Sequence, residues 1–114
     1  MNTCQIRELL CSLGIGRNYL GHNILIEAIQ RILCDKNRLL HVKDEILRPI
    51  AMQHQCDWRT VERNIRTVIH RAWKLNRPLI ESMARYPLDQ EPTVTEFLDM
   101  LTEYVTRPRG NMQS

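Results

Sequence analysis

Residues 61–73 read Val61-Glu62-Arg63-Asn64-Ile65-Arg66-Thr67-Val68-Ile69-His70-Arg71-Ala72-Trp73, and this stretch is the most informative part of the chain. Its apolar residues recur at the spacing of one face of an α-helix. They are Val61, Ile65, Val68, Ile69 and Ala72. The opposite face carries long polar side chains, namely Arg59, Glu62, Arg63, Arg66 and His70. Such side chains reach base edges and phosphates when a helix lies in a DNA major groove, so the pattern is typical of a recognition helix.

The length, composition and charge of the chain limit the class of protein it can be. It has 114 residues, of which 43% are hydrophobic, and a net charge of +3, values typical of one globular domain. We expect a single helical domain over residues 1–106 and a flexible tail over 107–114. Residues 54–77 contain six Arg or Lys and two acidic residues, whereas 78–106 contain six acidic residues and one arginine. This asymmetry indicates an anionic partner on one side of the molecule.

The compartment is inferred from what the sequence lacks. It has no run of about eighteen apolar residues, and its first residues lack the basic flank and apolar core of a signal peptide. We therefore expect a cytoplasmic protein that does not contact a membrane. The cysteines at positions 4, 11, 34 and 56 form no CxxC pair and are expected to be free thiols. Cys4 and Cys11 are seven residues apart on one helix face, which predicts core or half-buried positions.

The hydrophobic pattern is helical nearly throughout, with no convincing two-residue alternation, and it predicts an all-α fold. A first helix is expected over residues 4–13, with Thr3 as its N-cap and Gly14 after its end. A second is expected over residues 20–34. Its inward side chains are Ile24, Leu25, Ala28, Ile29, Ile32 and Leu33.

A helix-turn-helix is predicted in the middle of the chain. Pro49 suits the first turn of a helix but not its interior, so we expect a turn over 43–47 and a short helix over about 48–54. After a connection of about three residues, Asp57 can cap a helix over 58–75. Two helices joined in this way, the second amphipathic and basic, match a helix-turn-helix.

Two further helices are predicted after residue 75. Pro78 is expected in the first turn of a short helix that ends near Arg85. The pattern of Thr93 and Glu96, three residues apart before an apolar run, is a capping box. It predicts a final helix whose inward side chains include Phe97, Leu98, Leu101 and Val105.

No enzymatic, metal or cofactor site is predicted. Helix geometry would bring no Ser/His/Asp or Cys/His set together. His54 and Cys56 with Cys34 or His41 could be imagined as zinc ligands, but their spacing fits no structural zinc pattern. Gly14-Ile15-Gly16 follows a helix and lacks a third glycine, unlike a nucleotide-binding loop.

Several motifs together identify a family. The most specific is Ile50-Ala51 followed after nine residues by Val61-Glu62-Arg63, then Ile65-Arg66, Ile69 and Ala72-Trp73. Further matches are Gly14, Gly21, Leu25, Glu27-Ala28-Ile29, Pro92-Thr93 and Glu96-Phe97. With these residues, the chain from Gly14 to Met100 resembles the C-terminal effector domain of the stage-zero sporulation response regulator. The resemblance implies six helices around a helix-turn-helix, and a helix that reads a DNA box close to TGTCGAA in the major groove.

The resemblance also implies roles for individual residues. By position, Glu62, Arg63 and Arg66 fall on the family's base-reading residues, and the chemistry agrees independently. Arginine pairs with guanine O6 and N7, and a carboxylate accepts a hydrogen bond from cytosine N4. Candidates for phosphate contacts are Lys43, Arg48, Trp58, Arg59 and Thr60. Trp58 could equally pack on the helix-turn-helix, whereas Trp73 is expected to anchor the core.

The sequence departs from the family pattern at three points. The proline of Leu47-Arg48-Pro49-Ile50-Ala51 is displaced by one residue from the family's Tyr-Pro-x-Ile-Ala. Leu20-Gly21-His22 replaces Lys-Gly-Tyr, which removes one candidate phosphate contact. Family proteins usually carry an N-terminal receiver domain with a phosphorylatable aspartate, and this sequence begins inside the effector part. If Met1 is the natural start, phosphorylation in cis cannot control the protein.

These observations predict a sequence-specific DNA-binding transcription regulator whose partner is double-stranded DNA. RNA polymerase is a second candidate partner. A homodimer on tandem boxes is expected because one short helix reads too few base pairs, and the resemblance suggests a head-to-tail arrangement. The alternative is a protein-interaction module that binds the full-length regulator or RNA polymerase through its acidic half without binding DNA. The basic face would then be a solvated helix surface, but retention of Glu62, Arg63 and Arg66 argues against this alternative.

Overall fold

The computed structural model describes residues 3–84 and 87–106, and within these ranges the protein is all α with no β-strand. Its elements in chain order are α1 (Thr3–Ser12), α2 (Leu20–Cys34), a 3₁₀ helix (Lys36–His41), a π-helical turn (Lys43–Leu47), α3 (Arg48–Gln53), α4 (Trp58–Ala84) and α5 (Val94–Thr106). Asn76 has non-helical backbone angles and divides α4 into segments 58–75 and 77–84. Counting these separately, the described chain has six α-helices, as predicted.

α1 buries one stripe of large apolar side chains. Its members are Ile6, Leu9, Leu10 and, just after the helix, Leu13. Cys4 and Cys11 are exposed, so the prediction of core or half-buried thiols is wrong. The reason is helical phase, because this stripe takes the inward side of α1 and leaves the cysteines on the opposite side. Gly14 follows with φ +86, the left-handed conformation that commonly ends a helix. The side chain of Thr3 lies outside the described residues.

α2 occupies the centre of the fold and packs against α1, α4 and α5. All of its predicted inward side chains are buried except Leu33, which is half-buried and packs against the core. Near the start of the helix, Gly21 faces α4. A Cβ atom on Gly21 would lie 2.3 Å from Cγ2 of Val68. Glycine therefore allows α2 and α4 to approach more closely than any other residue would.

The turn predicted over 43–47 is wrong, because the chain remains helical there. The Arg48 N–H donates to the Lys43 carbonyl, five residues back, and α3 continues directly from this π-helical turn. Pro49 supplies no N–H, and its ring would crowd the carbonyl four residues earlier in a regular α-helix. One wider turn before the proline accommodates this change without breaking the helix. The helix predicted over 48–54 ends at Gln53, and His54 forms its C-cap.

The kink in α4 and the start of α5 agree with the sequence analysis. Asn76 Nδ2 donates to the Ser12 carbonyl at 2.9 Å, which ties the kink to α1. Pro78 lies in the first turn of the following segment, where proline is tolerated. At α5 the Thr93 N–H donates to Glu96 Oε1 at 2.9 Å, and the Glu96 N–H donates to Thr93 Oγ1 at 3.2 Å. The predicted capping box is therefore formed, whereas Arg85 and the predicted tail lie outside the described residues.

Within the described residues, no helix combines the length and the apolar character needed to cross a membrane.

Candidate nucleic-acid interface

α3 and α4 form a helix-turn-helix whose turn is fixed by backbone hydrogen bonds. Gln55 adopts a left-handed conformation, with φ 56, that reverses the chain after α3. The Cys56 N–H donates to the Ala51 carbonyl at 2.9 Å. Asp57 Oδ1 accepts the Arg59 N–H at 2.8 Å, which confirms the predicted cap of α4.

A contact outside the motif connects this turn to the centre of the fold. His54, at the end of α3, places Nε2 3.1 Å from Oε2 of Glu27 on α2. On the inner side of α4 the predicted apolar residues are all buried: Val61, Ile65, Val68, Ile69 and Ala72. The orientation of the 58–75 segment is therefore determined by the core and by α2.

The outer side of the 58–75 segment carries what we call the outward stripe. Its members are Arg59, Arg63, Arg66, His70 and Lys74, which follow one another at three- or four-residue spacing. All five are exposed. Side chains at this spacing share one side of a helix, so the stripe presents a row of basic groups opposite the buried residues.

The three candidate base-reading residues lie together in the first half of this segment. Arg66 Nη2 is 3.6 Å from Glu62 Oε2, an ion pair one helical turn apart. The Arg66 side chain is 69% exposed and that of Glu62 32%. Arg63 lies between them along the chain, is exposed, and forms no hydrogen bond or ion pair with the described residues. Its guanidinium group is available to an outside partner.

Three of the five candidate phosphate-contacting residues come together where α4 begins. Lys43 Nζ lies 4.9 Å from the centroid of the Trp58 ring, and the Arg59 guanidinium carbon lies 5.3 Å from it. We call these three residues the indole cluster. Trp58 is half-buried and packs against the core, so it both anchors the motif and holds two cations beside its ring.

The other two candidates are placed differently. Arg48 is exposed and pairs with Asp44, with Nε 3.4 Å from Oδ1. It borders a groove together with Met52 and Trp58, next to the indole cluster. Thr60 is half-buried, and its carbonyl accepts a hydrogen bond from Asn64 Nδ2 at 2.9 Å. Arg48 is therefore near the indole cluster, while Thr60, like Trp58, is half-buried.

Two arginines of the basic segment have structural contacts that sequence reasoning missed. Arg71 donates from Nε to the Gly14 carbonyl at 2.8 Å and lies 4.8 Å from the ring centroid of Tyr19. Arg77 lies 4.3 Å from the ring centroid of Trp73 and donates to the Leu88 carbonyl. These partners are distant in sequence or depend on the kink, so residue spacing gave no signal for them. Trp73 is half-buried and packs against the core, as predicted.

The described residues offer no metal centre. In residues 3–84 and 87–106, no group of three His, Cys, Asp or Glu side chains is placed to hold an ion. The four cysteines are free and exposed.

Comparison with protein families gives one match. A family model described as "Sporulation initiation factor Spo0A C terminal" matches residues 6–105, which is most of the chain. None of the curated proteins compared with the chain matches it.

Proposed function

Because the chain belongs to the Spo0A C-terminal family of non-enzymatic, DNA-binding transcription effector domains, we propose that the 58–75 segment of α4 reads a short DNA box. The segment would lie in the major groove with the outward stripe toward the bases. The resemblance of the sequence supports a box close to TGTCGAA.

The observation that carries this proposal is the exposure of Arg63 and Arg66 on a helix whose other side is buried. Their guanidinium groups can pair with guanine O6 and N7, and Glu62 can accept a hydrogen bond from cytosine N4. The Glu62–Arg66 ion pair holds an acceptor and a donor side by side. Adjacent G·C pairs in opposite orientations would satisfy both groups.

The indole cluster supports a second part of the proposal, the positioning of the helix on the DNA backbone. The two cations lie at the amino end of α4, where the first backbone N–H groups also favour an anion. Lys43, Arg59 and Arg48 would neutralise phosphates of one strand while Trp58 packs beside the sugar-phosphate chain. Such contacts fix the register of a helix but carry no sequence information.

We further propose that two copies bind head to tail on adjacent boxes, because one short helix specifies few base pairs. RNA polymerase is a candidate partner that would bind the segment 78–106, which contains six acidic residues and one arginine. Both proposals rest on the family resemblance and on the charge distribution of the chain.

A gel shift with two duplexes of equal length tests the central proposal. One duplex contains the box, and the other contains the same bases in scrambled order. We expect the protein to bind the box duplex at least about 10³ times more tightly than the scrambled one. No binding to either duplex at low salt would favour the protein-interaction module instead, and equal binding to both would mean that the 58–75 segment does not read bases.

A further inference from the structure

The outward stripe extends beyond the residues proposed to read bases in both directions, by Arg59 toward the start of α4 and by His70 and Lys74 toward the kink. Arg59 lies one turn before Arg63, and His70 lies one turn after Arg66. Each step is about 6 Å along the helix axis, and Arg59 and His70 are about 16 Å apart. The major groove is about 12 Å wide. Arg59 and His70 are therefore farther apart than the groove is wide, and with the helix centred on Arg63 and Arg66 each can reach a phosphate at one edge of the groove.

We propose that His70 and Lys74 contact phosphates of the second DNA strand, and that Glu91 competes with those phosphates for His70. This inference rests on the proposed function, because it takes the 58–75 segment to lie in the major groove. It adds a second contact surface across the groove from the indole cluster.

His70 is already bound to an anionic group in the protein without DNA. Its Nδ1 lies 2.6 Å from Oε2 of Glu91, which precedes α5. The His70 side chain is 61% exposed and that of Glu91 35%. An imidazole that donates to a carboxylate can donate equally to a phosphate oxygen, since both are anionic oxygen acceptors. The Glu91 carboxylate therefore occupies the same kind of site that a phosphate would fill.

Glu91 is also close to the base-reading part of the stripe. It lines one groove together with Arg66 and Ile69 of α4 and with residues 92–94. Its negative charge therefore lies beside the surface on which we place the DNA. A carboxylate in this position repels phosphates as well as occupying His70, so both effects weaken binding to any sequence.

Lys74 continues the stripe one turn beyond His70. It is exposed and forms no hydrogen bond or ion pair with the described residues, whereas its neighbours Arg71 and Arg77 are held by backbone carbonyls. Its ammonium group is therefore available for a second-strand phosphate. Lysine suits this role because it acts as a point charge without demanding one geometry.

The test measures the affinity of four single variants for the box duplex and the scrambled duplex over a range of salt concentrations. Lys74→Ala and His70→Gln should each weaken binding to both duplexes by a similar factor, roughly three- to tenfold at about 0.1 M salt. Lys74→Ala should also reduce the slope of log K against log salt by about 1. Glu91→Gln should tighten binding to both duplexes by roughly two- to fivefold, the scale of one charge pair in water. Lys36→Ala, on the 3₁₀ helix, is the matched charge control and should change little.

A double variant separates competition from general repulsion. If Glu91 acts through His70, Glu91→Gln should tighten binding less in the His70→Gln background than in the native one. Weaker binding by Glu91→Gln alone, or an unchanged affinity in Lys74→Ala and His70→Gln, would overturn the inference. Arg63→Ala serves as the reference for the proposed function. If Arg63→Ala reduces the preference for the box while the second-strand variants behave like Lys36→Ala, only this inference fails. If Arg63→Ala leaves the preference for the box unchanged, the proposed function fails.

Discussion

Glu62 is the residue at which base reading and overall electrostatics act in opposite directions. Its carboxylate pairs with Arg66 and places a negative charge on the side of α4 that we propose to face DNA. Glu62→Ala should therefore raise the affinity for scrambled DNA, since a charge that repels phosphates is removed. The preference for one cytosine in the box should fall by roughly 1–3 kcal/mol. Competition binding with single-base box variants measures both effects.

Glu103→Ala is the matched control, because Glu103 is an exposed acidic residue on α5 outside the outward stripe. It should leave the preference at every box position unchanged. If Glu62→Ala also leaves every position unchanged and alters only the affinity for scrambled DNA, Glu62 does not read a base.

At the residue scale, the sequence predicts side-chain contacts between residues close in the chain but not contacts between residues far apart in it. The Glu62–Arg66 pair follows from four-residue helical spacing alone, and the structure forms it. The contacts of Arg71 do not follow from residue spacing, because its hydrogen-bond partner Gly14 lies 57 residues away in the chain. The same holds for the indole cluster, in which Lys43 reaches the Trp58 ring only after the helix-turn-helix has formed.

At the scale of single elements, Asp57 fixes where α4 begins. Its side chain accepts the Arg59 N–H, one of the donors that a helix leaves unsatisfied at its start. Asp57→Ala should lower the free energy of unfolding by about 1 kcal/mol, and Asp57→Asn should restore most of it. Urea denaturation measures both values. Asp99→Ala, an exposed acid in the interior of α5, is the control; an equal loss there would mean that charge, and not capping, stabilises α4.

The contact between α2 and α4 gives a second prediction at this scale. Gly21→Ala would place a Cβ atom 2.3 Å from Val68 Cγ2 and 3.3 Å from the Asn64 carbonyl oxygen. The stiff valine and the helix backbone cannot both move away, so the free energy of unfolding should fall by about 1–3 kcal/mol.

Val68→Ala provides the space that the added methyl group needs. The double variant Gly21→Ala/Val68→Ala should therefore be less destabilised than the sum of the two single variants. Urea denaturation of the four proteins gives this coupling energy. If the losses in free energy of unfolding are additive, removing the Val68 methyl groups does not relieve the clash, and Val68 is not the group that excludes a methyl group at position 21.

The elements differ in how well the sequence predicted them, for a physical reason. The caps at Asp57 and at Thr93 and Glu96 use partners two or three residues away, so their signals are local and were read correctly. The helical turn over 43–47 was not predicted, because we considered only a regular α-helix or a break in the helix before Pro49. A π-helical turn accommodates the proline ring and its missing N–H through one wider turn. No residue type in 43–47 is specific for a π-helical turn, so the sequence alone does not predict it.

At the scale of the whole molecule, the charge distribution predicts the salt dependence of DNA binding. Basic groups are gathered on the outward stripe and in the indole cluster, whereas residues 78–106 contain six acidic residues and one arginine. With about three to five phosphates neutralised, affinity for the box duplex should fall by roughly two to three and a half orders of magnitude between about 0.05 and 0.3 M salt. Fluorescence anisotropy measures this slope. A flat response would mean that the basic groups do not meet a DNA backbone.

Arg63 and Lys43 distinguish an α4 that reads bases from one that is only a charged surface. Both are exposed cations, but Arg63 lies on the outward stripe and Lys43 in the indole cluster. Neither side chain is buried, so both alanine variants should melt close to the native temperature.

The measurement is competition binding of Arg63→Ala and Lys43→Ala to a set of duplexes that differ by single base pairs in the box. Arg63→Ala should lose about 1–3 kcal/mol of specific binding and its preference at one guanine, with the other positions read as before. Lys43→Ala should weaken binding to all the duplexes equally. If both variants show the same uniform loss at every position, α4 does not read the bases and acts only as a charged surface.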